Sequence, residues 1–152
     1  MKLVEIAKAE NLKLSQGATD AIVSLSGGDM RKVLNILESC SLAHKEIDEK
    51  QVYEVTGRPS SEDMEFIFTA LNQHKFGEAL TEVWQVKTNK SLSLEDVITE
   101  LHRGIMDTQY HEEAKMFLIS RLAEIEYRLA QGSNEKTQVG SLVGAFIEVR
   151  TL

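Results

Sequence analysis

Arg31 is the residue of this 152-residue chain best placed to do chemistry. It stands in the run Ser26-Gly27-Gly28-Asp29-Met30-Arg31-Lys32-Val33-Leu34-Asn35. The two glycines follow an apolar pattern that ends at Leu25, which predicts a helix stop and a turn. Asp29 is then placed to cap the next helix, because its carboxylate can accept an orphan backbone N–H. Met30, Val33, Leu34 and Leu37 recur at helical spacing and predict the apolar side of that helix. Arg31 falls in the first turn, off that side. A helix start offers free N–H groups and a positive dipole end, so an arginine there can meet an anion such as phosphate. Taken alone, the signal is weak, because an arginine in a first helical turn is usually a solvated surface charge.

Other chemistries find less support. No G-x-x-x-x-G-K-S/T phosphate loop occurs, so the glycine pairs lack the lysine and hydroxyl that hold phosphate and Mg²⁺. His44, His74, His102 and His111 are scattered. His111-Glu112-Glu113 departs from H-E-x-x-H, since Lys115 takes the place of the second histidine, and no zinc site is expected. Glu95-Asp96 and Glu112-Glu113 fall in predicted first turns, where negative charge complements the helix dipole. They read as solvated helix starts, and no catalytic residue is assigned. Cys40 is the only cysteine, which excludes an internal disulfide and predicts a buried, reduced thiol of a cytosolic or nuclear protein.

The elements that must position Arg31 follow from the apolar spacing. Leu3, Ile6 and Ala7 predict a helix over Lys2–Glu10, which Asn11 ends. Ser15 caps a second, with Ala18, Ala21, Ile22 and Leu25 inward. The Arg31 helix runs to about Leu42. Asp48 caps a fourth, Gln51 completing the capping box and Val52 and Val55 facing in. Thr56-Gly57-Arg58-Pro59-Ser60-Ser61 holds the only proline and places a domain boundary, since proline stops one helix and the serines can cap another.

Five more helices are expected beyond it. Met64, Ile67, Phe68 and Leu71 mark the first, and Phe76, Ala79, Leu80 and Val83 the second, widened by Trp84 and Val86. Ser93 caps the third, with Leu94, Val97, Leu101 and Ile105 inward and Leu92 stapled to Val97. The fourth carries Leu118, Leu122, Ile125 and Leu129, ending near Gly132. Asn134 opens the last, with Val139, Leu142, Val143 and Phe146 inward. Gly140 and Gly144 within it each cost helix propensity by ~1 kcal/mol, which points to the close approach of another helix, in this chain or a partner. Nothing alternates at period two, so the fold class is all-α.

Composition agrees with a globular chain, 42% hydrophobic and 27% charged. The net charge is −7. The first 58 residues carry 8 basic and 9 acidic side chains, and the remainder 9 and 15, so the acidity lies in the second part. No basic patch of the kind that holds nucleic acid appears. No apolar run approaches the ~20 residues of a membrane span, and the amphipathic start does not read as a signal peptide.

Gly28-Asp29-Met30-Arg31 followed by Leu34-Asn35 closely resembles the sensor-2 segment of the clamp-loader AAA+ ATPases. The resemblance spans nearly the whole chain. Leu3–Thr56 is similar to the lid that follows an AAA+ core, and Ser60–Leu152 to the collar of a replication factor C small subunit. Other strings carry it: Val52-Tyr53 followed by Thr56-Gly57 and Pro59; Asp96-Val97-Ile98-Thr99-Glu100; and Ile125-Glu126-Tyr127-Arg128-Leu129 leading to Gly132 and Asn134-Glu135-Lys136. The last is close to the fifth-subunit type of the eukaryotic complex. Lys32, Val33 and Ser91 depart from the residues common there, and none of these departures touches Arg31.

The resemblance implies a small helical AAA+ lid over residues 1–58 and a five-helix collar over residues 59–152. It implies the C-terminal part of a subunit that does no catalysis of its own. The collar would join a pentameric ring with other replication factor C subunits, and the lid would sense ATP. Together they would support ATP-dependent loading of the sliding clamp PCNA onto primed DNA in the nucleus. PCNA and primer–template DNA would be reached through an ATPase core outside this stretch, and ATP and Mg²⁺ belong to the intact protein. Arg31 is the one site residue carried over, as a contact to ATP phosphate. A free-standing helical adaptor or scaffold, and a related AAA+ remodelling factor, stay open as other readings.

Overall fold

A computed structural model describes residues 2–151. Nine α-helices and one two-stranded pair make up the described residues, and the chain divides into two compact units between Arg58 and Pro59.

The first unit runs α1 (Lys2–Ala9), β1 (Lys13–Leu14), α2 (Gln16–Ser26), α3 (Met30–Ala43), β2 (Glu46–Ile47) and α4 (Glu49–Thr56). Its helix starts are those the capping residues mark. Ser15 Oγ accepts from the Ala18 N–H at 3.0 Å, and Asp48 exchanges both capping-box bonds with Gln51 at 2.9 Å. Asn11, at φ +55°, turns the chain out of α1. The fold class is all-α as expected, with one small addition that the spacing does not predict: Lys13 pairs with Glu46 and Leu14 with Ile47 in a parallel ladder. Two-residue strands have no period to detect. The core gathers Leu3, Ile22, Val33, Leu37, Ile47 and Val52 around a fully buried Cys40, whose thiol burial pushes above its ordinary pKa.

The second unit is α5 (Ser61–Gln73), α6 (Phe76–Asn89), α7 (Leu94–Asp107), α8 (Glu112–Ala130) and α9 (Glu135–Arg150). Ile67, Leu71, Val83, Leu101, Leu118, Leu142 and Phe146 lie in one core. Phe76 is a correction: the spacing places it inward, but it is 47% exposed at the first position of α6. Ala79 and Val83 form the buried line of that helix instead. At the far end of α9, Arg150 Nη1 donates to the His74 carbonyl at 2.7 Å and Nη2 to that of Leu71. A cation thus satisfies orphan carbonyls where α5 ends. Nearby, the Tyr110 hydroxyl donates to Asn72 Oδ1 at 2.7 Å.

Asp63 is the buried charge of this unit. It completes a capping box with Ser60, at 3.0 and 3.2 Å, and pairs with Lys90 Nζ. Burial works against its carboxylate, but Lys90 and the Ser60 N–H and hydroxyl together hold its pKa below the usual carboxylate range. A lowered folded pKa contributes stability above the unfolded value of about 4, lost as pH falls through the folded value. The melting temperature of Asp63→Asn should therefore lie below that of the parent chain at neutral pH. The gap should close as pH drops below about 4. A gap that stays constant across a thermal-melt series in pH would remove Asp63 from the acid response.

Candidate functional site

Arg31 sits where α2 hands the chain to α3. Gly27 closes α2 in the left-handed region, at φ 59° and ψ 25°, and its N–H donates to the Ser24 carbonyl at 3.3 Å. Gly28 follows at φ +85°. The Asp29 N–H then donates to the Ser26 carbonyl at 3.2 Å, closing a four-residue turn with positive φ at both central positions. That combination belongs to type I′ turns, and only glycine enters it without a Cβ penalty at either position.

Ser26 anchors the turn from inside. Only 2% exposed, it donates its hydroxyl to the Val23 carbonyl at 2.8 Å and accepts the Gly28 N–H at 3.4 Å. Asp29 caps α3 with extended backbone, its Oδ1 accepting the Arg31 N–H at 2.9 Å. The backbone of Arg31 is thus held by a cap on a two-glycine turn. Its side chain is exposed, and the guanidinium has no hydrogen-bond or ion-pair partner among the described residues.

The surroundings of Arg31 differ from the expected apolar side. Val33 and Leu37 are buried, but Met30 is 45% and Leu34 41% exposed. Helix α3 packs mainly on α4 and α2, which cover the line Val33–Leu37–Cys40. Met30 and Leu34 stand one helical turn apart beside that line, where no element covers them fully. Arg31 therefore neighbours two half-open apolar side chains on the same helix. Spacing alone could not reveal this, because a four-helix unit of this size has too few elements to bury a wide stripe.

An exposed guanidinium at a helix start has the geometry to contact an anion. Among the described residues no group of three or more histidine, cysteine or acidic side chains could hold a metal ion. His74 Nδ1 pairs with Glu82 Oε2 at 2.5 Å, and His111 stands at the start of α8 without capping it by its side chain. Glu95-Asp96 and Glu112-Glu113 do lie in the first turns of α7 and α8. No helix is long and apolar enough to cross a membrane among the described residues.

The second unit offers a face rather than a site. A Cβ built on Gly140 or Gly144 would meet nothing within 4 Å, so both face open space among the described residues. Met116 and Tyr127, 70% and 68% exposed, stand on α8, and Met106, 52% exposed, stands near the end of α7. Of the two readings of the α9 glycines, a close neighbour in this chain is not seen among the described residues; the tight glycine contact lies on α7. There a Cβ on Gly104 would lie 2.5 Å from Phe68 Cε2.

Comparison with known proteins gives two family matches that do not overlap. Residues 1–54 match the RFC1-like AAA+ ATPase lid domain, and residues 59–145 match the replication factor C C-terminal domain. Replication factor C subunit 5 of Homo sapiens is 36% identical over 151 residues, 99% of this chain and 44% of that protein. Replication factor C subunit 3 of Oryza sativa subsp. japonica is 39% identical over 150 residues, 99% of this chain and 42% of that protein. A replication factor C small subunit of Methanococcus maripaludis is 30% identical over 141 residues, 93% of this chain and 45% of that protein. The chain spans less than half the length of each of these relatives.

Proposed function

The chain belongs to the replication factor C family, and from that premise we propose that it is the lid and collar of a clamp-loader subunit. Residues 1–58 act as the AAA+ lid and residues 59–152 as the collar that joins other replication factor C subunits in a pentamer. The ATPase core, with its ATP and Mg²⁺, is contributed by the rest of the subunit. Through that core the assembly meets PCNA and primer–template DNA, in the nucleus. The supporting observation is Arg31: exposed, without a hydrogen-bond or ion-pair partner for its guanidinium among the described residues, and fixed at a helix start by a cap and a two-glycine turn.

What Arg31 does follows from electrostatics. A guanidinium donates to phosphate oxygens through charge-assisted bonds, and the positive end of α3 adds to the attraction. Because its backbone is held, a phosphate that draws Arg31 draws the whole lid. Lid position then depends on which phosphates the nucleotide carries, a switch of the order–position kind. Among the described residues no group of three or more histidine, cysteine or acidic side chains could hold a metal ion, and hydrolysis is assigned to the core.

Two measurements test this reading. The chain alone should turn over no ATP above background in a phosphate-release assay. Turnover that disappears in Arg31→Ala would overturn the division of labour. Co-expressed with the other replication factor C subunits of its organism, residues 59–152 should co-purify with at least one of them. Failure to join any, with the helical circular-dichroism spectrum intact, would overturn the collar assignment.

A further inference from the structure

We draw no further inference here: the strongest candidate, the outward apolar row of Met116, Ala123 and Tyr127 on α8, carries nothing because no feature of the structure shows what covers it.

Discussion

Replacing Arg31 by alanine in a subunit that carries the ATPase core is expected to weaken ATP binding by roughly 10- to 150-fold. That factor corresponds to the ~1.5–3 kcal/mol of a hydrogen bond to a charged group. The fold should barely register the change. Arg31 is exposed and its guanidinium has no hydrogen-bond or ion-pair partner among the described residues, so stability should move by no more than about 0.5 kcal/mol. Arg31→Lys keeps the charge but loses the planar fork that grips two phosphate oxygens at once, and should fall between the two. Nucleotide titration of the three proteins, beside thermal melts of each, separates a binding loss from a folding loss. Equal ATP affinity in parent and alanine variants would end the lid-sensing reading, whatever the collar does.

The asymmetry of that expectation rests on how the site is built. Gly27, Gly28, Ser26 and Asp29 fix the backbone of Arg31 without involving its guanidinium. The atoms that hold the turn are thus different from those that the proposed phosphate contact would use. A surface arginine with a purely local role would instead pair with a neighbouring acid, as Arg103 does with Glu100 at 3.1 Å or Arg121 with Glu124 at 3.1 Å. Arg31 has Asp29 only two residues away, yet that carboxylate is committed to the helix cap.

The sequence was legible wherever the physics is local. Ser15, Asp29, Asp48, Ser60, Ser93 and Asn134 each announce a helix start and each caps one, because a cap is decided within about three residues. The turn before Arg31 was legible for the same reason. What stayed hidden is settled at a distance. The β1–β2 ladder joins Lys13 to a residue 33 positions away, and Arg150 reaches the Leu71 carbonyl across 79. Exposure at the site was hidden too: Met30 and Leu34 have the right spacing for a core line, and only the number of covering helices puts them outside.

Glycines show the limit most clearly. Gly140 and Gly144 within α9 imply the close approach of a helix from this chain or a partner, and among the described residues both face open space. Gly104, which no local spacing marks, is the tight contact. A helical glycine states that no Cβ is present; only a residue elsewhere, here Phe68, says whether one would fit.

Phe146→Ala should produce the largest loss of stability in the second unit. Phe146 is 1% exposed, and its ring meets that of Phe68 edge to face, with centroids 6.2 Å apart and planes at 88°. Emptying such a site costs about 3–5 kcal/mol, lost transfer energy plus the cavity left behind. For a unit of this size the melting temperature should fall by roughly 15–30 °C. Phe146→Leu keeps more of the volume and should cost less. The same contact predicts a coupling. In the parent chain, Gly104→Ala must displace the Phe68 ring, which Phe146 blocks from one side, and overpacking of this kind costs about 1–3 kcal/mol. Once Phe146 is truncated, Phe68 can move toward the vacated space. The alanine should then cost less, and its better helix propensity should begin to show. A double-mutant cycle by chemical denaturation measures this directly. Strict additivity of the two changes would mean that Phe68 does not transmit strain between α7 and α9.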